Sequence, residues 1–409
     1  MTRMTRMMRT TQTFSTMCAL TLTGLVVAST QDPNQNTQET GRPPTDDPLV
    51  LGLPVRTSEL PGTLTLPVIE SAVVESDGWV FLLGGMTSDF NATPAIQSRR
   101  PDGAWLPVGS QMSEARINPE ALKLSDGRIL IWGGYGGSAK GVLNLRLDGE
   151  IVQPKIAGAS TPITPPEESR WVTPSAPKQL SDGTIGVIAE NGLHRFDLEN
   201  LTWHPAEPLG RKVSAATLDV LEDGTLIACG TNPDDQSLVV MERPRNETTW
   251  TAWSVAEKIS ALGARSRMLP DGRVLLLGWP QKDERPSPET LIIDTARKTV
   301  VAGPKLPFKG GVPTWMHAIT VPNGVVVLAS EQPTSDELAM PTALFIRAER
   351  SGRLRPWRLN DLPRRRRPNV LSVGNGLLEL FGGYRFTIDG ASMAIETNRV
   401  KYGTGLVGD

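Results

Sequence analysis

Leu124-Ser125-Asp126-Gly127-Arg128-Ile129-Leu130-Ile131-Trp132-Gly133-Gly134 is the stretch on which the fold turns. Its five-residue run after Asp-Gly is too short for a helix, and its near-continuous apolar character suits a strand buried on both faces. A second strand, Ala121-Leu122-Lys123-Leu124, precedes it. The Asp-Gly pair is therefore expected to be the two-residue turn of a hairpin, with both central residues at positive φ.

The unit recurs at Asp77-Gly78, Asp126-Gly127, Asp182-Gly183, Asp223-Gly224, Asp271-Gly272, Asn323-Gly324 and Asn375-Gly376, in steps of 49, 56, 41, 48, 52 and 52 residues. A strand-like run follows each pair: WVFLL, RILIW, TIGVI, TLIAC, RVLLL, VVVLA and LLELF. Seven positions after the Asp or Asn stand Gly84, Gly133, Ala189, Gly230, Gly278, Ser330 and Gly382, all small. Such a column is expected where backbones converge, as at the inner strand ends of a propeller. Short strands carrying Trp follow farther on, at Trp105, Trp203, Trp253 and Trp357. The period predicts an all-β, seven-bladed β-propeller in which each hairpin is the inner half of a blade. Leu49 to Pro61 resembles the outer strands, and the last unit lacks one, so the N-terminal strand is expected to close the last blade.

With its double glycines at Gly84-Gly85, Gly133-Gly134 and Gly382-Gly383 and its outer-strand Trp residues, the chain resembles the kelch-repeat β-propellers. Met316-His317-Ala318 sits where kelch repeats often carry Gly-His, and Arg366 where they often carry Arg. The resemblance extends to the central domain of galactose-oxidase-like copper enzymes, whose site requires two Tyr, two His and a Cys cross-linked to Tyr. This chain has three Tyr and three His, with His194 and His204 on expected outer strands and Cys229 within an inner one. A galactose-oxidase-like fold without its copper site is expected, with no metal and no cofactor.

Composition narrows the partners. Lys+Arg 42 against Asp+Glu 44 leaves a net charge of -2, so no global field favours nucleic acid or an anionic membrane. Arg3, Arg6 and Arg9, then an apolar stretch to Ala28, read as a signal peptide over 1–29. Residues 30–47 read as a flexible leader, and 48–409 as the propeller. The expected protein is secreted or periplasmic, monomeric, and free of membrane insertion after cleavage. Of the two cysteines only Cys229 would survive cleavage, which excludes an intramolecular disulfide.

Ligand-handling groups are expected on the face of the crossovers between blades, around the channel mouth. The candidates are Arg116, Glu120, Arg170, Trp171, Arg211, Arg265, Trp315, His317 and Arg366. Guanidinium groups beside Trp faces suit carboxylates and sugars through paired hydrogen bonds and stacking. The run Arg364 to Arg367 needs solvent or an anion around its four like charges. No phosphate loop, nucleophile elbow, paired-Cys or His-Glu-x-x-His motif occurs. The expected function is binding of a protein partner or an acidic glycan, not catalysis. The alternative is a sugar-acid epimerase or lyase using Glu120 or His317 for proton transfer.

Overall fold

The computed structural model describes residues between Gly52 and Gly403, apart from interruptions of which the longest are 154–159, 167–174, 307–314, 331–340, 360–367 and 387–392. In some strands only the backbone is described. The expected signal peptide and leader, and the pairs Asn323 and Asn375-Gly376, lie wholly or partly outside the described residues.

Every long element is a strand. The sheets begin with Ala72–Ser76, Glu120–Lys123, Lys178–Gln179, Ser214–Val220, Ile259–Met268, Trp315–Val321 and Asn369–Ser372, and each contains four or five strands. Two-stranded ribbons, Tyr135–Gly137 with Leu143–Leu145 and Tyr384–Phe386 with Met393–Ile395, stand apart. The arrangement is an all-β propeller. Where the sequence predicts seven equivalent blades, six are each complete within one stretch of chain. The remaining sheet departs from that pattern because both ends of the chain build it. Arg56–Thr63 pairs antiparallel with Asn398–Gly403, which pairs with Leu377–Phe381 and so leaves the N-terminal strand outermost. Just before it, Gly52–Leu53 runs parallel to Arg358 and Leu359 of the preceding sheet.

Both faces of each second strand are buried. In Trp79–Leu83, Phe81 and Leu83 pack with Ile129 and Ile131 of the next sheet, while Val80 and Leu82 pack with Leu371 and Phe381 of the last. Apolar wedges of this kind lie between each sheet and the next, and again between the last and the first. This explains why runs such as WVFLL lack polar alternation: two neighbours, not one core and solvent, receive their side chains.

The last-to-first junction also carries a buried ion pair, Arg99 with Glu379, and Arg99 stacks 5.2 Å from the Trp105 ring centroid. Asn369 adds two bonds, accepting from Ser71 N–H at 2.9 Å and donating to the Val68 carbonyl at 3.3 Å.

Among the described turns, the expected hairpin geometry occurs at one position. Asp77 (φ 51°) and Gly78 (φ 70°) form a two-residue turn between Ser76 and Trp79. At Asp126, Asp182, Asp223 and Asp271 an extra residue precedes the Asp, and only the Gly takes positive φ. In the second sheet Gly127 N–H donates to the Leu124 carbonyl at 3.0 Å, and Leu124 N–H to the Arg128 carbonyl at 2.9 Å. The Asp126 carboxylate accepts the Arg128 N–H at 2.9 Å. These are three-residue loops with a glycine bulge, in which Asp is chosen for its side-chain acceptor and not for a left-handed backbone. Arg128 also donates to Asp126, whose carboxyl is held below the usual carboxylate range despite partial burial.

The small-residue column is explained by close approach. A Cβ on Gly84 would stand 2.5 Å from the Arg116 carbonyl, and one on Gly382 2.5 Å from that of Val68, each belonging to the chain entering the next sheet. Both glycines also have positive φ.

Ring closure predicts an asymmetry between two deletions. Removing residues 52–63 exposes the edge of Asn398–Gly403 and lowers the melting temperature by ten degrees or more, whereas removing 31–45 leaves it unchanged, as measured by differential scanning calorimetry. Equal effects contradict the pairing.

Candidate functional site

The first strand of each sheet is the one nearest the strands that begin its neighbours, and polar side chains collect on these strands. Register with the small-residue column sorts them into levels. Glu120 pairs with Trp132, and Arg265 with Leu277, each one residue before the column. His317 pairs with Leu328, two before it. Lys178 pairs with Gly186, Asp219 with Ile227 and Arg267 with Leu275, all three before it. Glu120, Arg265 and His317 therefore occupy the crossover half of the inner strands, whereas Lys178, Asp219 and Arg267 lie one level further in, toward the Asp-Gly turns.

Glu120 and Arg265 belong to the second and fifth sheets in chain order, yet a guanidinium nitrogen of Arg265 stands 3.9 Å from Glu120 Oε1. Both side chains are about half exposed, so each reaches away from its own sheet toward the opening that the inner strands surround. Lys178 Nζ, partly exposed, stands 3.9 Å from Oδ1 of the buried Asp219 on the adjacent sheet. Arg267 is held by main chain, donating from Nε to the Ala318 carbonyl at 2.7 Å and from Nη1 to that of Ser266 at 2.7 Å. Burial, then the nearby Arg267 guanidinium, push the His317 imidazole down to about 4, against the opposing pull of Glu120. It is a neutral ring at physiological pH, and a weak base.

Of the sequence-derived candidates, Glu120, Arg265 and His317 share this group. Arg211 is exposed at a bend before the fourth sheet. Arg170, Trp171 and Arg366 lie outside the described residues, as does the side chain of Trp315. Arg116 is a correction. Its side chain is fully buried, its Nε donates to Glu150 at 3.2 Å, and its terminal nitrogens bind Asp148 and the Gly133 carbonyl. Desolvation made that pairing necessary, since an unpaired guanidinium could not stay there. The guanidinium braces the entry to the second sheet and is unavailable to a ligand.

Lys178, Asp219 and Arg267 complete the group. Lys178 and Asp219 were missed because a lone charge beside a turn reads as a solvated strand end. Their signal is positional: each stands four residues before the Asp of an Asp-Gly pair, as does Arg267.

No family model matches the chain, and no curated protein matches it. Among solved structures it is similar to a fungal alcohol oxidase of the AA5 family in complex with copper, with a TM-score of 0.54 at 12% identity, over 85% of this chain and 75% of that one. At that identity the likeness concerns fold alone. The described donors do not fit a copper centre of that kind. Cys229 is buried between strands and burial raises its thiol pKa, His194 packs against Trp203 in the third sheet, and His317 is near Arg267, Glu120 and Arg265. Among the described residues no group of three or more His, Cys, Asp or Glu is placed to hold a metal ion.

Two outcomes follow. Because His317 titrates below its ordinary 6.5 in the folded chain, the unfolded chain binds the extra proton between about pH 6.5 and 4. Stability therefore holds above pH 6.5 and declines through that window, and His317→Gln makes the decline shallower in thermal melts; parallel profiles contradict the burial. Arg116→Met strands the buried Glu150 and lowers stability by about 3–5 kcal/mol in urea titrations. A fully stable variant would return Arg116 to the candidate ligand groups.

Proposed function

We propose that the chain is an exported, monomeric propeller of kelch type, with the sheet built from both chain ends as its seventh blade, and that it binds an anion at the central polar group. The anion is a carboxylate borne by an acidic glycan or by a protein partner. A propeller supports a binding or scaffold role in general. The single observation that carries the anion is Arg265, about half exposed and held by Glu120 at only 3.9 Å. That separation is too long for a hydrogen bond, so a ligand carboxylate can displace Glu120 at small cost. Lys178 and Arg267 add positive charge around the same opening, and Asp219 and Glu120 offset part of it. Net excess positive charge in a concave, partly desolvated site favours an anion.

The enzyme alternative, proton transfer on a sugar acid by Glu120 or His317, has less support. An imidazole with a pKa near 4 is a poor general base at neutral pH.

Binding of oligogalacturonate to the purified full chain tests the proposal by calorimetry. Expected are binding in 20 mM salt, at least tenfold weakening in 300 mM salt, and at least tenfold loss in Arg265→Ala with an unchanged melting temperature. Salt-insensitive binding, or an Arg265→Ala variant that binds normally, contradicts it. Conversion of the sugar acid, abolished in Glu120→Gln, would replace it with the enzyme reading.

A further inference from the structure

Asp219 is a buried carboxylate whose surroundings leave it incompletely satisfied. Its residue is 4% exposed and its Oδ2 has no hydrogen-bond partner among the described residues. The cation on the other oxygen, Lys178 Nζ at 3.9 Å, is too distant to donate a hydrogen bond. One level nearer the crossovers on the same strand, Thr217 Oγ1 is also buried, against the Cys229 thiol, without a nitrogen or oxygen partner. Buried carboxylates ordinarily accept several hydrogen bonds, because desolvation without them costs several kcal/mol. Two acceptor-capable groups on one strand, facing a level occupied by Lys178 and Arg267 of the adjoining sheets, thus lack nitrogen or oxygen donors among the described residues.

Acceptors of this kind have no use for a bare carboxylate, which has no proton to give. A hydroxyl has one. We propose that Asp219 recognises a hydroxyl group of the bound anion, so that the ligand class is the hydroxy acids of the sugar series: the carboxylate meets Lys178 or Arg265 while a hydroxyl on a neighbouring carbon donates to Asp219 Oδ2. This rests on the anion site proposed above and narrows it. The Lys178–Asp219 spacing of 3.9 Å places a cation and an acceptor side by side, which matches the adjacent carboxylate and hydroxyl of a uronic acid. The requirement discriminates sharply, since a ligand lacking the hydroxyl would leave the carboxylate buried and unpaired after excluding water.

Calorimetric titration of the full chain in 20 mM salt with glucuronate, glucose and propionate tests it. Glucuronate is expected to bind at least tenfold more tightly than either of the others, and Asp219→Ala to bring glucuronate and propionate to equal affinity. Because the ligand comparison is made on the unaltered chain, the test survives an Asp219 variant that fails to fold; Thr217→Val then serves as the second variant, with a partial loss expected. Equal affinity for glucuronate and propionate overturns the hydroxyl assignment while leaving the anion site standing. An Asp219→Ala variant that folds and keeps the full preference overturns it as well, and identifies the unsatisfied oxygen as the seat of an enclosed water. Failure of both acids to bind the unaltered chain removes the anion site itself.

Discussion

Each sheet of this protein is hydrophobic on both faces, and neither face can be left without a neighbour. Phe81 and Leu83 lean on the second sheet while Val80 and Leu82 of the same strand lean on the last. An open stack of such sheets would present apolar surface at its two ends; a ring presents none. Closure is therefore the condition on which the packing rests. The chain meets it with its two ends, Arg56–Thr63 lying beside Asn398–Gly403, and with a polar lock at the junction where Arg99 and Glu379 are buried together. A buried pair adds little net stability by comparison with apolar packing, but its geometric demands disfavour other ways of joining the sheets.

The same constraint places the functional group. Inner strands that pack side by side carry their register into the centre, so residues far apart in sequence reach common levels. Arg265 meets Glu120 across sheets that are not neighbours. Asp219 lies between contributions from the sheets on either side, near Lys178 and within the electrostatic reach of Arg267. The column glycines permit this by letting the entering chain pass close to the strand ends, as Gly84 does beside Arg116.

Much of the architecture was legible because the repeat is physical and not merely textual. The strand runs, the Gly column and the N-terminal outer strand could be read from period and residue size. The turn geometry could not be read in full, because one additional residue before Asp126, Asp182, Asp223 and Asp271 changes which backbone positions need positive φ. Site residues were harder. Glu120, Arg265 and His317 were recognisable from their place before the hairpins, but nothing local to Arg116 reveals that Asp148 and Glu150 share its site. Pairing of that sort is decided by tertiary contact. Lys178 and Asp219 carried a usable signal in their fixed offset from the turn, which becomes visible once the hairpins are aligned by pairing and not by motif alone.

Amide hydrogen exchange tests the closed ring most directly. If closure holds the structure together, amides of Arg56–Thr63 that pair with Asn398–Gly403 exchange only through global unfolding, at rates matching those of the deeply buried strand Gly324–Ser330. Exchange of Arg56–Thr63 orders of magnitude faster, with the central strands still protected, would show that the N-terminal strand frays independently and that the ring does not depend on it.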